Sequence, residues 1–491
     1  MLQSEPLDRP WSRLSAFASR AAILAIVLGA ALAVGSAVAV GLWQAAVAAA
    51  MAIPLLTIVV RNPFAGVLAW LLLVPYFIRQ LTVDVHPVVW AFHRLGVPAL
   101  LVVVVLYHAL GIRNSSFRLR GYDLALAGFV GVGVMNALVL GSSPARALGS
   151  FYDQLAVPIA FFWLVRAIGP GPSDLSRLIT AGAWTIAVQA AIGILSWIAP
   201  TVLPAQWLGR VGSRTVGTFG GPAAYTITLV LFLLLALYAA MSTDKSRRRL
   251  LLFGIVIAAQ LGVLLSLSRG SWLGAGLALL GVAFVYRRQI GRFVLAAAVV
   301  AFLLVLGPVG GLASVAQERL AEGDTVAGRI VTNDAAIRMI RDEPLAGFGY
   351  GNFERFDERY KQRVGDIPLI LGGSAHNTYL NLLAEVGIPA TLLYLSPPVF
   401  LLALSYRLWR RHRHSPSVDW RFITVLWLAM LDQFVVNNFL EIIHSSYWAT
   451  SLWWLTLGLI AAQLERLRAP VSVPSASHAS VRLQAEQRHD R

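Results

Sequence analysis

Four arginines have the chemistry to bind an anion such as a phosphate. Arg210 and Arg214 lie in the glycine-rich run GRVGSRTVGTFGGP. Arg269 lies in SLSRGSW, and Arg329 lies near the start of a segment with helical periodicity. A planar guanidinium donates two hydrogen bonds at once to a phosphate and keeps its charge when partly desolvated. The alternative is a set of interfacial arginines whose long side chains reach water at a membrane edge.

His376 is the candidate for proton transfer. It lies in SAHNTYLNLLAEVG, directly after a glycine-containing segment. Leu380, Leu383 and Gly387 follow it by 4, 7 and 11 residues, so the four positions share one face of a helix. An imidazole has an unperturbed pKa of about 6.5 and therefore exchanges a proton near neutral pH. The same spacing also fits a histidine that caps the helix or packs in the core.

A second group of polar residues lies within and just after the apolar segment 422–440. Asp432 is inside the segment, where a carboxylate is costly in lipid, so we expect it to face the protein interior. Asn437, Asn438, Glu441 and His444 lie at the end of the segment and either line a polar cleft or cap the helix. The candidates for binding a polar acceptor are Asn377, Tyr379, Asn438 and Glu441.

Two further motifs resemble binding sites but have simpler explanations. Asp84 and His86 are residue types that ligate metal ions, and together they would supply half of a site. No second acidic pair lies near them, so a chance pairing is favoured. The run GFGYGN at 347–352 has the glycine spacing of a nucleotide-binding loop, but no strand precedes it and no helix follows closely. We predict a tight turn after Pro344 instead. The sequence therefore predicts no metal site and no cofactor.

The composition indicates that these residues are carried by a membrane protein. The chain has 491 residues, of which 57% are hydrophobic and only 13% are charged, with a mean hydropathy of +0.69. A soluble domain has about a quarter of its residues charged. The net charge of +16 does not indicate nucleic-acid binding, because the basic residues are dispersed between apolar runs. The absence of cysteine excludes disulfides and thiolate metal sites.

The apolar runs predict an all-α polytopic membrane protein. Each run is long enough to cross a bilayer as a helix, and hydropathy gives about fourteen of them, or 12–14 if the first two form a re-entrant pair. The predicted spans are 21–40, 43–60, 64–83, 95–112, 122–141, 151–168, 178–199, 223–242, 250–267, 271–286, 293–312, 381–405, 422–440 and 447–464.

The distribution of basic residues predicts the orientation. Arginine-rich loops fall at every second gap between spans, and such loops stay in the cytoplasm. Both termini and the 243–249 loop are therefore expected in the cytoplasm, with an uncleaved first helix. The four arginines considered above fall on the other, less basic side, where orientation does not require them. The cytoplasmic groups lie at Arg61, 113–120, 166–177, 245–249, 287–292 and 407–413.

A four-part organisation follows from these spans. We expect a membrane bundle at 1–311, a large extracytoplasmic loop at 312–380, further membrane helices at 381–466 and a disordered cytoplasmic tail at 467–491. Within the loop, helical periodicity predicts a helix over 325–341 that ends before Pro344. Its predicted apolar face consists of Val326, Ile330, Ile337 and Ile340.

Several of these motifs together resemble the shared domain of O-antigen ligases, O-antigen polymerases and related exopolysaccharide enzymes. The similar segments are Ser268-Arg269-Gly270, Arg329, DEPLAGFGYGNF at 342–353, and His376-Asn377 followed by Leu380 and Gly387. The run RTVGTFGGP at 214–222 is also similar, although Ala223 stands where the family commonly has asparagine. The resemblance covers about 180 residues well, and it does not distinguish ligase from polymerase.

The resemblance implies a GT-C-like glycosyltransferase of the bacterial inner membrane. Such enzymes take a glycan from undecaprenyl diphosphate at the outer face and pass it to a hydroxyl of lipid A-core or of another repeat unit. Carried over to this chain, His376 would act on the acceptor hydroxyl and Arg329 on the reacting diphosphate. Arg214, Arg269 and Arg210 would bind that diphosphate without a metal ion, because arginines can neutralise the leaving group. Direct displacement would invert the anomeric carbon.

Two other classes remain as alternatives. A transporter for a lipid-linked sugar needs polar residues across the whole bilayer and usually has internal repeats, whereas the candidates here cluster on one side. A non-catalytic scaffold for envelope assembly would not need His376. The expected partners are the lipid-linked glycan, a lipid or glycan acceptor and membrane lipids, with no nucleic acid. A ligase is the favoured assignment and a polymerase is the alternative.

Overall fold

The computed structural model describes residues 59–78, 89–112, 117–204, 207, 209–211, 214–287, 324–365, 367, 375–413, 415 and 418–468. Within these ranges, eight helices are long and apolar enough to cross a membrane. They are Trp90–Ala109, Gly121–Val139, Pro144–Ile168, Pro172–Ile198, Pro222–Ser242, Ser246–Leu265, Thr378–His412 and Trp420–Phe439.

These helices confirm the predicted all-α polytopic membrane fold, and each of them overlaps a predicted span. The predicted spans 64–83 and 271–286 correspond to two shorter apolar helices, Pro63–Tyr76 and Arg269–Val285. The predicted spans 21–40 and 293–312, and most of 43–60, lie outside the described residues.

The described elements are numbered in chain order. Two π-helical turns, Trp90–Gly96 and Tyr152–Ala156, continue directly into the α-helices that begin at Val97 and Val157. The helices and strands are α1 Pro63–Leu73, α2 Val97–Ala109, α3 Gly121–Val139, α4 Pro144–Phe151, α5 Val157–Ile168, α6 Pro172–Ile198, β1 Gly209–Val211, β2 Arg214–Gly217, α7 Pro222–Ser242, α8 Ser246–Leu265, α9 Arg269–Val285, α10 Asp324–Asp342, α11 Phe353–Tyr360, α12 Thr378–His412, α13 Trp420–Phe439 and α14 Tyr447–Arg466.

The centre of the bundle is α14, which is buried along almost its whole length and packs on α5. Trp448 and Trp454 are fully buried, and the ring of Trp448 stacks on Trp70 with centroids 4.2 Å apart. The indole nitrogen of Trp448 donates to the hydroxyl of Thr228 at 2.8 Å. The indole of Trp448 thus has its partner inside the bundle, whereas the hydroxyls of Thr450, Ser451 and Thr456 donate to carbonyls of their own helix.

An ion-pair network joins α3, α5 and α14 at one end of the bundle. The guanidinium of Arg166 is fully buried and donates to the carboxylates of Asp123 and Glu465. The phenol of Tyr122 donates to Glu465 at 3.0 Å. Arg166 belongs to one of the predicted cytoplasmic groups, and its side chain lies inside the protein. Removing one partner of such a network leaves an uncompensated buried charge.

The helix α12 is broken near its start, at Gly387. This residue has φ 79° and ψ 171°, and Pro389 follows it. In an unbroken helix the carbonyls of Ala384 and Glu385 would accept from the amides of residues 388 and 389. Proline has no amide hydrogen, and the amide of Ile388 donates to a residue outside the helix. The break therefore leaves two carbonyls to be satisfied from elsewhere.

The run at 347–352 supplies the missing donors. The amides of Phe348 and Gly349 donate to these two carbonyls, each at 2.9 Å. A Cβ on Gly347 would lie 2.5 Å from one of the same peptide groups, so the close approach requires glycine. The predicted tight turn after Pro344 is confirmed, and its function is to dock the large loop on α12.

The predicted helix of the large loop is confirmed as α10, but two residues of its predicted apolar face are exposed. Ile330 and Ile337 are 41% and 40% exposed. The face that packs on α12 lies on the opposite side of the helix from them, about 180° away, and consists mostly of smaller side chains, which allow the two helices to approach closely. The buried positions are Val331, Thr332, Ala335, Ala336 and Met339.

Two of the expected domain limits lie near helix ends. The helix α12 begins at Thr378, inside the segment assigned to the loop, and α14 ends at Arg466, where the bundle was expected to end. Residues 312–323 of the expected loop and 469–491 of the expected tail lie outside the described part of the chain.

Candidate functional site

A short hairpin positions Arg214 at one end of the bundle. Strands β1 and β2 pair antiparallel, with Arg210 opposite Thr215. The hydroxyl of Thr215 is buried and accepts from the indole of Trp197 at 2.7 Å, which fixes β2 against α6. Arg214 begins β2 and is half-buried. The side chain of Arg210 lies outside the described part of the structure.

Arg269 is fixed at the start of α9. Ser268 occupies the cap position, and the hydroxyl of Ser271 donates to its hydroxyl at 3.0 Å. A Cβ on Gly270 would lie 2.9 Å from the Cβ of Phe439, so glycine lets α9 approach α13 closely. The Ser268-Arg269-Gly270 motif therefore places a guanidinium at a tight junction between two helices.

Three of the predicted arginines line one small cavity. Arg329, on the second turn of α10, meets Arg214 from β2 and Arg269 from α9 there. The cavity has a volume of about 20 Å³, which is room for little more than one water molecule. Among the described residues that line it, none carries a carboxylate. The lining residues are Arg214, Leu267, Ser268, Arg269, Gly270, Arg329, Phe439 and Leu440.

Arg329 is repelled by the positive charges of Arg269 and Arg214. Burial lowers the pKa of this arginine below its usual value, and the positive charges of Arg269 and Arg214 lower it further. Three like charges held together repel one another, and a bound dianion would offset that repulsion. The arrangement therefore favours an anion with at least two negative charges.

His376 lies just before α12 and does not cap it. Its φ is 47°, a left-handed conformation that is uncommon outside glycine, and its side chain is half-buried. The cap is Asn377, whose side-chain oxygen accepts from the amides of Tyr379 and Leu380 at 3.0 and 3.1 Å. The imidazole is thus neither a cap nor a fully buried core group.

The imidazole of His376 is close enough to two arginines of the cavity, Arg329 and Arg214, for their charges to affect it. Burial lowers its pKa, and the charges of Arg329 and Arg214 lower it further. The carboxylate of Glu441 acts in the opposite direction and raises it. A histidine with a lowered pKa is neutral at physiological pH and can therefore accept a proton.

The four acceptor candidates are each engaged within the protein. Asn377 caps α12, and the ring of Tyr379 packs on Phe434 with centroids 5.4 Å apart. The amide of Asn438 donates to the carbonyl of Phe434 in its own helix at 2.8 Å. Glu441 accepts from the backbone of a nearby residue. Their role in acceptor binding remains a prediction.

Two other polar positions have clear outcomes. Asp432 is 1% exposed and lies where α13 meets α9, so it faces the interior as predicted. Asp84 and His86 lie outside the described residues. Within the described ranges, no group of three or more His, Asp or Glu side chains is arranged to hold a metal ion.

The sequence did not single out Glu385, which forms a charged cluster with His444 and Glu441. The imidazole of His444 lies between the two carboxylates, with Nε2 3.1 Å from Glu385 and Nδ1 3.1 Å from Glu441. Burial lowers the pKa of His444, but the two carboxylates raise it by more, so the net pKa is well above its usual value. A glutamate in an otherwise apolar stretch of α12 was the available signal.

Comparison with known proteins gives one family. Residues 253–395 match the family described as O-Antigen ligase. This range contains Arg269, Arg329 and His376, together with the loop run 347–352, and Arg214 precedes it. No curated protein matches the chain. The match over residues 253–395 supports membership of the O-antigen ligase superfamily.

Proposed function

We propose that the protein transfers a glycan from undecaprenyl diphosphate to a hydroxyl of lipid A-core or a similar acceptor. The observation that carries the proposal is the convergence of Arg214, Arg269 and Arg329 on one cavity, where the charges of Arg329 and Arg214 also act on His376. A diphosphate bound by these arginines would lie close to a neutral imidazole. Superfamily membership supports a glycosyltransferase-type enzyme of the membrane and its lipid-linked glycan substrates.

The proposed reaction is a direct displacement. The acceptor oxygen forms a bond to the anomeric carbon, and the bond from that carbon to the diphosphate oxygen breaks with inversion. His376 takes the proton of the acceptor hydroxyl, and the diphosphate leaves with the bonding electron pair. The three guanidinium groups neutralise the charge that develops on the diphosphate, so the proposed reaction needs no metal ion.

The proposed location is the bacterial inner membrane, with this site on the outer face. The alternation of arginine-rich loops supports the orientation. Consistent with it, Arg214, Arg269 and His376 occupy the opposite end of the bundle from the 243–245 connection between α7 and α8. The large loop would cover the site, and the lipid of the donor would lie in a lateral groove between helices.

The test uses purified protein, a lipid diphosphate-linked glycan and two acceptors. One acceptor is lipid A-core, and the other is a second copy of the lipid-linked repeat unit. Transfer to lipid A-core with release of the lipid diphosphate supports the ligase. Extension of the repeat unit alone identifies the polymerase, which uses the same residues. Arg338 pairs with Asp334 at 2.8 Å, so Arg338→Ala is a control for Arg329→Ala on the same helix.

A further inference from the structure

The cluster of Glu385, His444 and Glu441 is built rigidly. The backbone amide of Phe353 donates to Glu385 at 3.2 Å, which ties that carboxylate to the start of α11. The ring of Tyr350 stacks on the imidazole of His444 with centroids 4.9 Å apart. With His444 protonated, the cluster has two negative charges and one positive charge, so its net charge is negative.

Hydrogen bonds hold one end of this cluster beside His376. The hydroxyl of Thr378, two residues after His376, donates to the carbonyl of Leu440 at 2.9 Å. The same hydroxyl accepts from the amide of Ile442 at 2.9 Å. Glu441 lies between these two backbone groups, so Thr378 fixes it next to the start of α12.

The charges that act on His376 come from three elements. Arg329 lies on α10, Arg214 on β2, and Glu441 on the connection between α13 and α14. Two of these three charges are positive and oppose protonation of the imidazole. Glu441 is the one carboxylate among them in the described part of the chain. Its other neighbour is the imidazolium of His444, which is itself held by Glu385.

We propose that Glu385, His444 and Glu441 form a positioning unit that holds a carboxylate beside His376 and so keeps this histidine able to accept a proton in an arginine-lined site. Glu441 stabilises the protonated imidazole that forms when the acceptor hydroxyl is deprotonated. His444 holds Glu441 in place and moderates its negative charge, and Glu385 holds His444. The proposal rests on the proposed role of His376 as the base.

The two conservative variants should shift the acid side of the rate profile in opposite directions. Glu441→Gln removes a negative charge, so the pKa of His376 should fall and the acid limb should move to lower pH. His444→Gln removes the positive partner of Glu441, so the acid limb should move to higher pH. Glu354→Gln changes an exposed carboxylate on α11 and should leave the limb where it is in the wild type. An unmoved limb in both cluster variants would overturn the proposal.

A second measurement does not depend on turnover. Diethyl pyrocarbonate reacts with neutral imidazole, so the pH dependence of labelling at His376, resolved by peptide mass spectrometry, reports its proton occupancy. The labelling curve should shift in the same directions as the acid limb. Unshifted labelling in both variants refutes the positioning unit, even if His376→Ala is inactive. Shifted labelling with a fully active His376→Ala supports the unit and refutes the proposed base.

Discussion

Replacement of Arg329 by alanine should abolish most transfer activity without weakening the fold. A charge-assisted hydrogen bond contributes about 1.5–3 kcal/mol, so loss of a two-bond contact to the diphosphate costs about 3–6 kcal/mol. At about 1.4 kcal/mol per decade, the rate should fall by about two to four decades. Because Arg329 is repelled by Arg214 and Arg269, its removal should leave the melting temperature unchanged or slightly raised.

The assay is the initial rate of glycan transfer from the lipid diphosphate donor, measured together with thermal unfolding in the same detergent. Arg329→Lys keeps the charge but not the two-bond geometry, so its rate should lie between those of the wild type and the alanine variant. Arg338→Ala, on the same helix, should retain the wild-type rate. A wild-type rate for Arg329→Ala would remove this arginine from the site. A lowered melting temperature would contradict the repulsion described here.

The remaining predictions concern the base, the loop contact, metal dependence and orientation. His376→Ala should lower turnover by about two to four decades, whereas His376→Gln should stay near wild type only if the residue merely orients the acceptor. In the wild type, burial and Arg329 lower the pKa of His376, so the rate should fall only below its usual pKa of about 6.5, as a pH profile will test. Gly387→Ala would place a Cβ 2.1 Å from a loop carbonyl at positive φ, so thermal unfolding should show a loss of about 1–3 kcal/mol. Transfer should survive EDTA, and a loss restored by magnesium would contradict the arginine-only site. Single cysteines in 324–365 of this cysteine-free chain should react with an impermeant label in intact cells, and those in 243–249 only after lysis.

The positions of the three arginines at element ends and on α10 could be predicted from the sequence because each arginine lies in a local motif. Arg214 begins the second strand of a hairpin, Arg269 starts a helix after a serine cap, and Arg329 lies on a helix that periodicity identified. Cap residues and apolar periodicity of this kind determine where helices begin and end. The structure adds that the three residues line the same cavity.

The features that sequence reasoning missed depend on contacts between distant segments. The buried face of α10 is set by its fit against α12, and hydrophobicity alone favoured Ile330 and Ile337. Glu385 and His444 are 59 positions apart, so no spacing rule could bring them together. Asparagine is a preferred N-cap residue, so the cap formed by Asn377 could have been predicted from the local sequence. His376 therefore does not cap the helix.

The contact between the run 347–352 and the broken part of α12 has a consequence for biogenesis. The run emerges from the ribosome before α12, yet the carbonyls that it binds belong to Ala384 and Glu385. The carbonyl of Glu385 also accepts from the side-chain amide of Asn136 at 3.3 Å, but until the two meet the carbonyl of Ala384 depends on water, because an unpaired buried carbonyl costs several kcal/mol. Insertion of α12 and docking of the loop must therefore be completed together. A truncation after 365 would leave the loop run without its acceptors, so the site would be assembled only in the full-length chain.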